Sequence, residues 1–377
     1  MISFIKKNIK DIRVGGLYTF KRKVKFANFC TIKLIKKIIE LIYKIVFFPF
    51  DYPRQKFFKE QVGFDFMKIF INDKEVEKKD KIKIYSVVYG KHVLYLDQVL
   101  LKSVFQSNNI PAILNEGIKV ELRIFTVKSD YDKVKNIIIN KIEKLQLKTI
   151  NLSFNISVME LDDILIKSRN IVIVECKKEK SALIMAMSDF YFGNSSLLNL
   201  VKIGLESNSC IAGMHLRVND DDFIKAISSL NQISNSELVD LSMKYKHQNT
   251  TASFHGAPTG FKITQLNNYE FIVEHRLPNV WFANFTKKDY LYFKERPFQA
   301  WDHQWPTSLI FESRYKVIGS TDIFYVAELT ENDSHIVELE NNNIQNTQKN
   351  YDNQGYLHKE INNIFLICMK SNNKYQG

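Results

Sequence analysis

Between Lys81 and Val218, short β-branched runs alternate with segments of helical period, and this alternation constrains the fold more than any other feature of the chain. Lys81 to Tyr89 (KIKIYSVVY) reads as a strand that ends at Gly90. Val93, Leu96, Leu100 and Val104 then recur at helical spacing. Lys119 to Thr126 (KVELRIFT) alternates with period two, as a strand does. A helix begins at Asp130 with Val134, Ile137, Ile138, Ile142 and Leu145 on one face, and Thr149 to Phe154 (TINLSF) gives a third strand. Strands joined by helices of this length lie parallel in one sheet with helices on both faces. The expected fold is therefore α/β with a mostly parallel central sheet.

Ligands on such sheets bind at the carboxyl ends of the strands. That places Tyr89, Gly90, Lys91 and His92 at one strand end, and Thr126 to Asp130 at the next. No G-x-G-x-x-G follows the first strand and no G-x-x-x-x-G-K-S/T occurs, which disfavours dinucleotide and P-loop folds.

Four later stretches carry chemistry. Ser188 to Ser196 (SDFYFGNSS) lies between an expected apolar helix, Ala182 to Met187, and another, Leu197 to Leu205. Asp189 suits a metal or a ribose hydroxyl, while Gly193, Asn194 and Ser195 suit the amino end of the next helix, which attracts phosphate. Ordinary helix capping, with Asp189 as a turn residue, is the alternative. Ser209 to Val218 (SCIAGMHLRV) reads as an apolar strand that puts His215 and Arg217 on one face. The fork of donors on Arg217 suits a phosphate, and a pair with Asp220, Asp221 or Asp222 is the alternative. Those aspartates favour the amino end of a helix from Phe223 to Leu230.

Phe261 to Gln265 and Glu270 to His275 form an expected hairpin around Asn267-Asn268, followed by a strand from Val280 to Phe285. Arg296 to Pro306 (RPFQAWDHQWP) gathers Trp301, Asp302, His303 and Trp305, and such loops serve binding or anchor structure. Asp302 suits a general base and His303 a base or metal ligand. Lys316 to Leu329 (KVIGSTDIFYVAEL) brings Asp322 to a turn, with Glu328 six residues on.

Outside this body, Met1 to Glu60 holds 15 Lys/Arg and 4 Asp/Glu, a net of +11, whereas the whole chain carries +12. Ile35, Ile38, Ile39, Ile42, Ile45 and Val46 recur at helical spacing between Lys33, Lys36, Lys37, Glu40 and Lys44, until Pro49 and Pro53 stop the helix. Charges break the apolar run, so it falls short of the ~20 apolar residues a bilayer span needs. A basic amphipathic helix of this kind suits an anionic membrane surface, with Lys21-Arg22-Lys23 and Lys25 adding about 1 kcal/mol each. A helix packed on the body with its lysines solvated is the alternative. Nucleic acid ranks last, because the near-neutral body does not extend the basic footprint. No signal-peptide pattern opens the chain. Cys30, Cys176, Cys210 and Cys368 form no C-x-x-C pair, which argues against a zinc ribbon or disulfide scaffold and fits a reducing cytoplasm.

Taken together, the SVVYG strand end, SDFYFGNSS, the strand running into HLRV, the hairpin ending in EHRLP and GSTDIFYVAEL resemble a bacterial glycosyltransferase with a GT-A-like nucleotide-sugar fold, over roughly residues 81–329. The family's D-x-D is incomplete, since Asp189-Phe190-Tyr191 lacks the second carboxylate. The resemblance implies a catalytic domain with a nucleotide-sugar-binding half, 81–218, and an acceptor half, 219–329, followed by an Asn-rich loop and C-terminal segment, 330–377. It implies Tyr89, Gly90, Asp130, Asp189, Asn194, Ser195 and Arg217 on the donor side. His215, His275, Trp301, His303 and Glu328 fall on the acceptor side, with Asp302 or Asp322 as base. Asp189 is the donor-side candidate for a Mn²⁺ or Mg²⁺ ion. The implied reaction moves a sugar from a nucleotide-sugar to a glycan or lipid-linked acceptor at the inner face of the plasma membrane, in surface polysaccharide or glycolipid assembly. The incomplete D-x-D leaves a non-catalytic membrane-associated binding module as the alternative.

Overall fold

The computed structural model describes residues 79–144, 151–162, 164–207, 209–254, 261–275, 278–295, 304–332 and 365–372. The chain divides into units 1–72 and 73–377, and every described residue belongs to the second. The basic arm and the expectation of membrane binding placed on it lie outside the described residues, as do Trp301, Asp302 and His303.

In chain order the elements begin with β1 (Lys81–Val88) and α1 (His92–Tyr95), which continues through a π-helical turn, Leu96–Leu101, into Lys102–Val104. There follow α2 (Ile110–Asn115), β2 (Lys119–Thr126), a 3₁₀ turn at Lys128–Asp130, α3 (Tyr131–Lys144), β3 (Leu152–Val158), α4 (Ile164–Glu179), β4 (Ala182–Met185), β5 (Phe190–Phe192) and α5 (Ser196–Ser207). Next come β6 (Cys210–Gly213), β7 (His215–Asn219), α6 (Asp220–Ser228), α7 (Asn235–Lys244), α8 (Gln248–Phe254), β8 (Phe261–Gln265), β9 (Glu270–His275) and β10 (Asn279–Ala283). The last are α9 (Lys287–Glu295), α10 (Gln304–Phe311), β11 (Tyr315–Val317), β12 (Val326–Thr330) and β13 (Phe365–Lys370).

The main sheet has seven strands in the order β11-β6-β10-β4-β1-β2-β3. All its pairings are parallel except those of β10, which runs antiparallel to both β4 and β6. The alternation of β1 sorts its side chains. Ile82, Ile84 and Val88 meet Leu96, Leu100, Val134, Ile138, Leu197 and Leu200 on one face. Tyr85 and Val87 meet Ile164, Val172 and Ile173 of α4 and the Phe293–Trp305 pair on the other. The expected sheet with helices on both faces is thus present. Charge also enters the second face, where Lys83, 1 % exposed, bonds Glu121 at 2.8 Å and Glu179 at 2.9 Å.

Three local expectations need correction. Ala182 to Met187 is not a helix. Its first four residues are β4, seated between β1 and β10, where an apolar run buried on both faces needs no alternation. The third strand starts later than expected, at Leu152, and runs to Val158. Cys210 to Val218 is two strands. β6 stays in the main sheet, the chain breaks at Met214, and β7 joins a separate three-stranded sheet ordered β5-β12-β7. Gly213 permits this crossing, because a Cβ there would meet the Phe324 ring at 2.4 Å. The expected 261–275 hairpin forms as β8 and β9, and β13 pairs on its open side.

Candidate functional site around Asp189

The carboxyl ends of β1, β2 and β4 adjoin, and hydrogen bonds tie their loops together. After β1 the chain turns at Gly90, whose φ of +57° is a conformation glycine adopts without strain. Its N–H donates to Asp130 Oδ2 at 2.8 Å, so the 3₁₀ turn after β2 clamps the loop after β1. The Tyr89 and His92 rings pack at 5.7 Å, and His92 Nδ1 meets Ser188 Oγ at 2.8 Å, which joins this loop to the one after β4. Asp189 comes next in sequence.

The β5-β12-β7 sheet supplies the other wall. Glu328 on β12 pairs with Arg217 on β7 and with Phe190 on β5, while His215 stands two residues back on the same face as Arg217. Glu328 Oε2 accepts from His215 Nε2 at 2.9 Å and from Arg217 Nε at 3.3 Å. Burial by itself raises a carboxyl, but the hydrogen bond and charge of His215 and the charge of Arg217 outweigh it and hold Glu328 down at about 2. Asp189 is set the opposite way. Burial and the neighbouring Glu328 carboxylate push it up to about 7, against the pull of Arg217 and Lys91. Its Oδ1 is enclosed and has no hydrogen-bond partner among the described residues. Two adjacent carboxyls with such divided proton affinities mark a site candidate.

Lys91 closes the ring. Its ammonium pairs with Asp220 Oδ2 at 3.5 Å and with Glu331, and Tyr95 donates its hydroxyl proton to the same Asp220 oxygen at 2.5 Å. Behind Glu328 lies an aromatic and imidazole layer. Trp281 packs its ring 5.7 Å from His215 and donates Nε1–H to the Gly213 carbonyl at 3.0 Å. His275 stacks on Phe261, and burial together with the charge of His215 pushes it down to about 3, so it stays neutral. His215 and His275 are 8 % and 7 % exposed, and the Nδ1 of each lacks a partner among the described residues.

Tyr89, Gly90, Asp130, Asp189, Arg217, His215, Glu328 and His275 are linked by the contacts and charges just described. Asn194, Ser195 and Asp322 are not among them. β5 pairs its Phe192 end with Val326 and its Phe190 end with Glu328, so Gly193 and Asp189 lie about 13 Å apart along the ladder. Asn194 there accepts from the Asn108 N–H at 3.2 Å, and the amino end of α5 is capped by Asn109 through the Leu197 N–H at 3.0 Å. Ser195, at φ +81°, serves the turn from β5 into α5. The amino end expected to hold phosphate already has its cap. Asp322 is an exposed turn residue whose carboxylate pairs with Lys370 at 3.2 Å. Tyr95 has no place in the sequence reading, which puts Lys91 at the strand end without a role and Asp220 only as an alternative partner of Arg217. The one available signal was that Lys91 follows a strand's carboxyl end directly.

No three His, Cys, Asp or Glu side chains among the described residues are grouped to hold a metal ion. Glu328 is committed to His215 and Arg217, which leaves Asp189 as the remaining carboxylate of that pair, flanked by two cations that repel a third. This donor set does not fit a divalent ion.

No family model matches the chain, and no curated protein does. Among solved structures, one from Bacillus anthracis assigned as a glucose-1-phosphate thymidylyltransferase, in complex with sucrose, is 12% identical. That match covers 63% of this chain and 86% of the other at a TM-score of 0.29, a likeness that carries no weight here. Two things stand without it: a mixed α/β body around a seven-stranded, mostly parallel sheet, and a charged cluster at the carboxyl ends of its central strands.

Proposed function

We propose that this protein transfers a glycosyl group from a nucleotide-sugar donor to an acceptor hydroxyl. The observation that carries the reading is the convergence of the Gly90–Asp130 clamp, Asp189 and Arg217 where the carboxyl ends of β1, β2 and β4 meet. Sheets of this kind take their ligands there.

In this reading the loop at Tyr89, Gly90 and Asp130 receives the nucleoside, and Arg217 receives phosphate oxygens. Asp189, holding its proton near neutral pH, is a hydrogen-bond donor to the same ligand rather than a repelling charge. The acceptor enters from the side of His215, His275 and Glu328. Asp302 keeps the proposed role of proton acceptor on its sequence context alone, whereas the Lys370 pair withdraws Asp322 from that role. The basic arm of residues 1–60 would hold the enzyme beside a lipid-linked acceptor at an anionic membrane face. Among the described residues no helix is long and apolar enough to cross a membrane.

Thermal unfolding with and without nucleoside diphosphates and nucleotide-sugars tests the reading. A ligand that binds only the folded state stabilises it by about 2.7 kcal/mol at a hundredfold excess over its Kd. The expected result is a rise in Tm with one nucleotide class, lost in Arg217→Ala. No rise with any nucleotide overturns the proposal. Nucleotide binding without slow hydrolysis of the donor would instead support a non-catalytic binding module.

A further inference from the structure

We infer that two copies of this chain pair through β3, antiparallel about a two-fold axis at Asn155, so that the seven-stranded sheet continues from one copy into the next. The inference is independent of the nucleotide-sugar reading.

β3 is the last strand of the sheet, joined to β2 through an unbroken register from Leu152 to Val158 with no bulge. The Met159 N–H donates to the Thr126 carbonyl at 2.8 Å. By the alternation of a strand, Ser153, Asn155 and Ser157 then turn their backbone groups towards β2, and Leu152, Phe154, Ile156 and Val158 turn theirs to the free edge. Among the described residues no hydrogen bond reaches those edge groups. Natural edges are blunted by charge, proline, bulges or shortness. The opposite edge of this sheet, β11, is three residues long, and the edge strand β8 of the smaller sheet carries an exposed Lys262. The β3 sequence, LSFNISV, has none of these protections.

What fits such an edge is the same edge. About Asn155 the strand is symmetric in side-chain class. Leu152 meets Val158 of the second copy, Phe154 meets Ile156, Ser153 meets Ser157, and Asn155 meets its own counterpart. Apolar side chains thus oppose apolar ones and hydroxyls oppose hydroxyls, the pairs that stabilise a sheet. Every outward-turned residue faces another, so each such pair exchanges two bonds and the seam closes with about eight hydrogen bonds. The apolar row continues the main core, in which Leu152 is buried and against which Ile156 packs, while Phe154 and Val158 are left 38 % and 48 % exposed. Charge permits the approach. The chain carries +12, but β3 has no charged side chain, and the neighbouring Arg123 and Glu175 neutralise each other at 2.8 Å. The contact is isologous and closes at two copies. An edge about 23 Å long and one sheet thick, about 10 Å, buries less than the about 800 Å² per copy of a standard interface, which places the Kd in the micromolar range.

Sedimentation velocity of the full chain from about 1 to 100 µM, which brackets that Kd, tests the pairing. The expected result is a reversible shift from the 44.2 kDa chain to twice that mass. Phe154→Pro removes an N–H that the lone chain leaves unpaired, and should raise the Kd by about tenfold or more while the chain still folds. Asn155→Cys tests the register. Residues opposed without hydrogen bonds lie about 4.5 Å apart at Cα, within disulfide reach, so mild oxidation should link two copies. Ser153→Cys, about 13 Å from its own counterpart, should stay unlinked, as should the native chain. Circular-dichroism melting establishes that each variant is folded. A native chain that stays at 44.2 kDa throughout the range overturns the pairing. So does a folded Phe154→Pro with native Kd, or cross-linking of Asn155→Cys no greater than that of Ser153→Cys.

Discussion

Asp189→Asn offers a sharp physical test because the side chain keeps its shape and loses only its proton chemistry. In the folded chain burial and Glu328 push the carboxyl up to about 7, from a usual value near 3.8. An acid raised in the folded state keeps a proton that the unfolded chain has released, so stability falls as pH rises between the two values. From about pH 5 to pH 7 that difference amounts to about two pKa units, or about 3 kcal/mol. Water on the open side of Asp189 makes this an upper bound. Asparagine carries no such penalty, so the variant should gain on the native chain as pH rises and then hold a constant margin above about pH 7. For a domain of this size the gain corresponds to about 5–10 °C in Tm between pH 5 and pH 8.5. Calorimetric or circular-dichroism melting at the two pH values reads it directly. A Tm difference that does not change with pH, or a native chain that is the more stable at high pH, would refute the placement of Asp189 beside Glu328.

Other consequences are more local. Glu328→Gln should destabilise the fold by about 2 kcal/mol at neutral pH, since a carboxyl held down contributes stability above its unfolded value. That difference should fade as pH drops through about 4 towards 2, where the native carboxylate is itself protonated. Lys83→Met removes a buried ammonium from Glu121 and Glu179 and should cost about 3 kcal/mol in denaturant unfolding, because the Glu121 carboxylate stays buried. Gly213→Ala forces a methyl group to within 2.4 Å of the Phe324 ring and should cost about 1–3 kcal/mol. A chain lacking residues 1–60 should lose sedimentation with anionic phosphatidylserine vesicles, and undiminished binding would remove the membrane role from the arm.

What the sequence reveals follows the range of the interactions involved. β1, β2 and the β8–β9 hairpin declare themselves through β-branched runs and an Asn-Asn turn, which are properties of neighbours in the chain. β4 does not, because four apolar residues buried on both faces have no period to read. α4 was missed for a related reason: Leu165, Ile171 and Val174 are exposed while Ile164, Val172 and Ile173 are buried, so its apolar residues mark no single face. The strand ends at Gly90 and Asp130 were placed correctly by a rule of topology. The meeting of Asp189, Arg217 and Glu328 depends on which strands pair in a second sheet, and nothing local encodes it. Asp322, which the sequence brings to a turn, answers to Lys370 on β13, a partner also distant in the chain.

The β12 ladder carries an implication for how mutation can reach this site. Glu328 faces the charged cluster, Val326 on the same side packs into the main apolar core with Phe192 and Phe324, and Ala327 and Leu329 face a second apolar core with Leu216, Val218 and Phe223. A slip of one residue would exchange the two sets, sending an acid into hydrocarbon and leucine into the charged wall. The alignment of Glu328 with Arg217 is thus guarded by the energy of burying its neighbours. Substitutions can vary the charged face residue by residue, but an insertion or deletion between β11 and β12 trades recognition and folding at a single stroke.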